Sequence, residues 1–213
     1  MIKTQVLATR FLANASAALC ASLGIPAGYP SLAFLTADSD DPTYIALDEA
    51  TKAADVVVAY THSFYGGAGN ASTPYAGEVI GILAGKTPGA VQSGMEAALS
   101  ALSRVGFTDV GVPCLAHTVS SCGSFLAKEA GVPEGSALAY LIAPPLESMY
   151  ALDAALKAAD VKLCKLYAPP SETNFGGGLL SGSQSACNAA CEAFLQAVEE
   201  VARKPLTGGN YGT

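Results

Sequence analysis

The feature that most constrains this chain is that its second half repeats its first. Leu47-Asp-Glu-Ala-Thr-Lys-Ala-Ala-Asp-Val56 follows Leu32-Ala-Phe-Leu-Thr36, and Leu152-Asp-Ala-Ala-Leu-Lys-Ala-Ala-Asp-Val161 follows Leu138-Ala-Tyr-Leu-Ile142. Earlier in each half, Leu7-Ala-Thr before Gly24-Ile-Pro26 is echoed by Leu115-Ala-His before Gly131-Val-Pro133. The offset stays at about 105 to 108 residues, far beyond the period of a solenoid repeat and suited to two copies of one domain. The copies are placed at 1–105 and 106–213. A duplicated domain keeps its fold where the copies agree and is free to specialise where they differ.

Each copy alternates strand-like and helix-like segments. In the first, strands are expected at Thr4–Phe11, Leu32–Thr36, Val56–Tyr60 and Glu78–Leu83, with helices at Ala13–Leu23, Pro42–Ala54 and Pro88–Ser103. The second has strands at Leu115–Val119, Leu138–Ile142 and Val161–Leu166, and helices near 121–130, 146–159 and 184–203. This pattern gives a sheet with helices packed against it, an α/β (α+β) fold. Asp48 and Glu49 are read as early residues of their helix, where the dipole favours acids, with Lys52 late.

The 213 residues are 51% hydrophobic and only 14% charged, so much of the surface should be covered. No apolar run nears the roughly 20 residues of a membrane span, which makes a protein partner the expected cover and a membrane not. The net charge of −7, with no basic cluster, argues against nucleic acid. The Ala- and Leu-rich run from Lys3 to Cys20 superficially resembles a leader but has a counterpart at 115–131, and is expected to be structure. The six cysteines contain no CxxC pair and are expected to be free, mostly buried thiols; with only two histidines, no metal site is expected.

The copies differ in two loops. Ala37-Asp-Ser-Asp-Asp-Pro42 stands opposite Ala143-Pro-Pro-Leu-Glu147, and the long stretch 61–74 opposite Ala168-Pro-Pro-Ser-Glu-Thr-Asn-Phe-Gly, which is read as loop as far as Gly178. One fold does not need both versions, so function is sought there. The acidic loop has three readings. It is a solvated turn whose Asp caps the following helix; or Asp38 and Asp40 are the start of an acid-dependent phosphohydrolase motif, though no later Lys and paired-Asp motif follows; or Asp40, Asp41, Glu78 and Glu172 together attract a cation. Gly81-Ile-Leu-Ala-Gly-Lys-Thr87 is one residue short of a phosphate loop and Tyr65-Gly-Gly-Ala-Gly-Asn70 lacks the third glycine of a dinucleotide loop, so both are read as turns. His117 lies between Cys114 and Cys122 with no acid partner in view, and is read as structural.

Asp153-Ala-Ala-Leu-Lys-Ala-Ala-Asp-Val161 and its twin at 48–56 resemble the Lys-Ala-Ala-x-Val helix end of bacterial microcompartment shell domains. The tandem arrangement resembles the trimer-forming branch. Ala37-Asp-Ser-Asp-Asp-Pro-Thr-Tyr44, Pro170-Ser-Glu-Thr-Asn-Phe175 and Gly182-Ser-Gln-Ser-Ala-Cys-Asn-Ala-Ala-Cys191 are similar to its ethanolamine-utilisation members. The resemblance implies two circularly permuted shell domains, a homotrimer forming a pseudo-hexagonal tile, and other shell proteins as partners in a cytoplasmic organelle wall. It implies no enzyme activity and no required cofactor. Lys52 and Lys157 would lie at tile edges. Tyr65, Gly66, Gly67, Phe107 and Phe175 would line a gated central pore for small-molecule permeants. Asp40, Asp41, Glu78 and Glu172 would form a small acidic pore that holds ethanolamine, and some relatives also bind cobalamin near the centre. An alternative role is a ligand-sensing protein that regulates the pore. The chain departs from the family at Thr61-His-Ser63 and Ser121-Cys-Gly123, each lacking an expected arginine. His62 and Cys122 are the residue types a soft metal takes.

Overall fold

The structure is a computed structural model that describes residues 1–64, 77–169 and 171–206. The first half contributes β1 (Ile2–Lys3), β2 (Val6–Leu12), α1 (Ala17–Ser22), β3 (Ser31–Ala37), α2 (Asp40–Ala53), β4 (Val56–Ser63), β5 (Val79–Gly85) and α3 (Pro88–Leu102). The second contributes β6 (Gly106–Asp109), β7 (Pro113–Val119), α4 (Ser124–Ala130), β8 (Ala137–Ala143), α5 (Pro145–Ala158), β9 (Val161–Tyr167), β10 (Gly176–Gly182) and α6 (Gln184–Arg203).

The duplication reappears in the strand order. One sheet runs β2-β3-β5-β4, and the other runs β7-β8-β10-β9 with β6 and β1 added at the β7 edge. Among the described residues all the pairings are antiparallel, so of the two layered classes the fold is α+β. The chain's first strand crosses over: Ile2 pairs with Phe107 and Lys3 with Gly106, in the sheet of the second half.

Alternation along the central strands sorts each sheet into two faces. Ala33 and Leu35 point to α2 and α3, as Ala139, Leu141 and Ala143 point to α5 and α6. Thr87 and Ser183 cap α3 and α6, accepting from the amides of Ala90 at 3.2 Å and Ala186 at 3.1 Å. On α6, Cys187, Ala190, Cys191, Phe194, Ala197 and Val198 are buried at helical spacing, so the paired cysteines serve packing. The opposite faces are unequal. Leu138, Tyr140 and Ile142 lie in a large cluster under α4 that also takes in Ile45 from α2. Their counterparts Leu32 and Phe34 sit in a small one under α1.

Besides the short strands β1 and β6, which were not expected, three elements depart from the sequence expectation. α1 starts at Ala17 instead of Ala13, because Ala15 donates to Pro30 and Ser31 donates to Ala13, which hold that stretch extended until Ser16 caps the helix. α2 starts two residues early, so Asp48 is in its middle and is buried. Residues 176–178 are the start of β10, not loop. Glycine hides a strand from propensity but fits here, because a Cβ on Gly178 would stand 2.5 Å from the Lys165 carbonyl oxygen and one on Gly176 2.8 Å from Ser148 Oγ.

Candidate functional site

The two halves meet through α2. Ile45, 1% exposed, enters the second half's core, a burial worth about 1.5–3 kcal/mol. Asp48 is fully buried and accepts from the amides of Gly123 at 2.7 Å and Leu126 at 2.8 Å, supplying the cap that α4, with glycine at its N-cap, lacks. Thr51 Oγ1 accepts from the Ser124 amide at 3.1 Å, and Lys52 Nζ donates to the Ser121 carbonyl at 2.9 Å. Lys52 also pairs with Glu49, while Lys157 is exposed and pairs with Asp153 at 2.5 Å.

At the start of α2 this junction encloses a cavity of about 360 Å³. Asp40 and Asp41 occupy the first turn, where the helix dipole favours carboxylates, and both are buried instead of solvated. Asp40 Oδ1 accepts from the Asp41 amide at 2.9 Å and its Oδ2 from Ser63 Oγ at 2.9 Å. Ser63 and the Tyr44 hydroxyl bond one another in turn. Thr173 Oγ1 approaches Asp40 Oδ2 at 3.5 Å. Asp41 Oδ1 accepts from the Tyr140 hydroxyl at 2.8 Å. Tyr140 stacks on Tyr167 at 6.1 Å, and Tyr44 tilts against Phe125 at 6.1 Å. Thr61, His62, Glu129, Lys165 and Glu172 also line the space, with Lys165 and Glu129 paired at 3.7 Å.

Of the four expected acids, Asp40, Asp41 and Glu172 line one cavity. Glu78 is not in its wall, yet lies close enough for the charges of Asp40 and Asp38 to act on it. Burial pushes the Asp41 carboxyl well above the usual carboxylate range, and the neighbouring Asp40 charge adds to this, while the Tyr140 hydrogen bond opposes both. Burial, foremost, and then the Asp40 and Asp38 charges raise Glu78. Burial also raises the phenols of Tyr44, Tyr140 and Tyr167, which therefore remain neutral donors. Carboxylates set among aromatic rings suit a small organic cation, whose ammonium takes the charge contacts while the ring faces hold its carbons. Tyr44, Ser63, Tyr140 and Tyr167 were not visible as site residues in the sequence; the one signal was a tyrosine at an inward position of a buried strand.

The other expected residues lie elsewhere. Phe107 is buried and stacks on Phe175 at 5.8 Å, beside a second cavity of about 290 Å³ that Ile2, Lys3 and Asp38 also border. Tyr65, Gly66 and Gly67 fall outside the described residues. Asp38 is exposed and accepts from the Gln5 amide at 2.7 Å. Buried Asp40 is engaged by Ser63, so the two do not form a catalytic pair. Cys122 points into the core, where its thiol donates to the Pro133 carbonyl at 3.6 Å, away from the cavity that His62 lines. Burial, the largest influence, lowers His117, with Glu49 opposing and Lys52 adding to the effect.

The doubled antiparallel fold, with a helix pair on one face of each sheet, a shorter helix on the other and a polar junction between halves, defines two tandem, circularly permuted microcompartment domains. Residues 31–112 match the BMC domain, from β3 past α3 into the second half. The chain is 56% identical to the bacterial microcompartment shell protein EutL of Clostridium perfringens (strain 13 / Type A), over 97% of each chain. It is 46% identical to EutL of Escherichia coli (strain K12), over 97% of this chain and 96% of the relative. Ethanolamine utilization protein EutL from Leptotrichia buccalis C-1013-b has a crystal structure that superposes with a TM-score of 0.94 at 57% identity, covering 97% of this chain and 98% of that one. The chain belongs to the EutL family of bacterial microcompartment shell proteins. It is a structural component of that shell and not an enzyme, which removes the phosphohydrolase reading of Asp38 and Asp40.

Proposed function

We propose that three copies close into a flat, pseudo-hexagonal tile of an ethanolamine-utilisation microcompartment shell, and that the acidic cavity within each chain takes ethanolamine. The copies divide at 105/106, Lys52 and Lys157 lie toward the tile edge, and Phe107 and Phe175 border the central passage for permeants. The observation that carries the ligand is the Asp40–Asp41 pair, buried at the head of α2 and faced by Tyr140. The names of the relatives supply ethanolamine as the cation to test. His62 stands in this wall where the family resemblance places arginine, which leaves the site more acidic. A cobalamin is several times larger than about 360 Å³ and would have to lie elsewhere, near the tile's centre.

An ammonium favours ionised Asp41, so binding releases a proton and weakens as pH falls. Calorimetry of ethanolamine against wild type and Asp41→Asn tests the site. Heat with wild type that is reduced at least about tenfold in affinity by Asp41→Asn supports it, since a buried charge contact is worth more than 1.4 kcal/mol. Absence of heat in both rejects ethanolamine as the ligand.

A second reading, in which occupancy of the cavity regulates the pore, has its own observation. The segment carrying Glu172 and Thr173, which reach the cavity, leads directly to Phe175 stacked on Phe107. Comparing chymotryptic cleavage after Tyr167 and Phe175 with and without ethanolamine tests that connection, and identical cleavage rates reject it.

A further inference from the structure

The cavity at the head of α2 is larger and more aromatic than a small primary amine requires. Its volume of about 360 Å³ falls in the range of pockets that enclose much bigger ligands. Four rings from four elements line it: Tyr44 of α2, Phe125 of α4, Tyr140 of β8 and Tyr167 of β9. They come as two pairs, Tyr140 stacked on Tyr167 and Tyr44 tilted against Phe125, each with centroids 6.1 Å apart. Burial keeps the three phenols neutral, so the rings offer electron-rich faces without adding charge of their own. The charge comes from the carboxyls. Lys165 and Glu129 offset one another at 3.7 Å, which leaves the acids Asp40, Asp41 and Glu172 in excess in the wall.

Those acids are already engaged as acceptors. Three of the four oxygens of the Asp40–Asp41 pair meet protein donors: Asp40 Oδ1 the Asp41 amide, Asp40 Oδ2 the Ser63 hydroxyl and Asp41 Oδ1 the Tyr140 hydroxyl. A primary ammonium brings several N–H donors, and each of them, once out of water, needs an acceptor. An ammonium with methyl groups on nitrogen needs fewer or none. Charge and ring faces hold it, and its weaker hydration makes its transfer into a buried space less costly. We propose that the cavity selects N-methylated amino alcohols over the primary amine, with the methylated nitrogen held among the rings beside the acidic pair. Thr61 and Ser171, in the same wall, offer hydroxyls to the alcohol end. This inference rests on the cavity being a site for an organic cation, and adds to that reading the class of cation it prefers.

Calorimetry on the wild-type protein compares ethanolamine, N,N-dimethylethanolamine, choline and the neutral isostere of choline in which a tert-butyl group replaces the trimethylammonium. The expected result is affinity that rises with methylation, choline at least about tenfold tighter than ethanolamine, and no binding of the neutral alcohol at the same concentrations. Phe125→Leu, with far-UV circular dichroism confirming its fold, should erase most of choline's advantage while leaving the affinity for ethanolamine within about threefold. Choline no tighter than ethanolamine overturns the inference and leaves the ethanolamine site standing. A neutral alcohol that binds as well as choline, or a Phe125→Leu chain that keeps the full preference, overturns the ring-and-charge basis of the selection. Choline binding where ethanolamine gives no heat upholds the inference and rejects ethanolamine as the ligand. Heat from none of the amines overturns both readings.

Discussion

Asp41 is under electrostatic tension. Its carboxyl is buried beside Asp40, and the single Tyr140 hydrogen bond does not offset both effects. The folded pKa is therefore raised above the unfolded value. The stability this group contributes is fully present below the unfolded pKa and is lost as pH rises through the folded one. Asp41→Asn keeps an oxygen for Tyr140 and removes the charge. Without ligand, its melting temperature should exceed that of wild type at pH above the folded pKa of Asp41, and the gap should close on acidification. Melting curves measured across this range check it; an equal gap at every pH would mean that Asp41 does not titrate there. Burial raises the Asp48 carboxyl as well, but its two oxygens each meet an amide of the other half, which opposes that rise. Asp48→Ala strands those amides and should cost about 2–3 kcal/mol in denaturant unfolding. A loss below about 0.5 kcal/mol would show that water replaces the carboxylate.

At the scale of elements, what the sequence revealed depended on whether a signal was local. The helices expected at Pro88–Ser103 and near 184–203 are found at Pro88–Leu102 and Gln184–Arg203, since helical patterning is a local signal. The central strands β3 and β8 were legible as apolar runs repeated in two places. β10 was not, because three consecutive glycines resemble loop, and their need arises only from the close approach of Lys165 and Ser148 on other elements. Asp48 was misplaced for a related reason: counted from Pro42 it read as dipole-favoured, yet its partners are about 75 residues away along the chain. The acidic pair was legible as composition, while Ser63, Tyr140 and Tyr167 were not, since they arrive from β4, β8 and β9 only after folding. Ile45 tests the weight of this junction. Ile45→Ala should lower stability by about 2–5 kcal/mol, against less than about 0.5 kcal/mol for Tyr150→Ala at the aligned, 49% exposed position of α5. Similar losses from the two would contradict the asymmetry between docked and open faces.

On the scale of the whole molecule, duplication converts a sixfold problem into a threefold one. A single shell domain repeated six times has one kind of junction, whereas a fused pair has two, and each is free to carry different chemistry. Here the junction within the chain holds buried acids and tyrosines around a ligand-sized space. The low charged fraction, 14% of residues, fits a chain with much of its rim in contact with neighbours. Sedimentation equilibrium of the wild-type protein over a wide concentration range tests this account most directly. The account predicts a species of three times the 21.4 kDa chain mass. A mass of one chain at every concentration would contradict it.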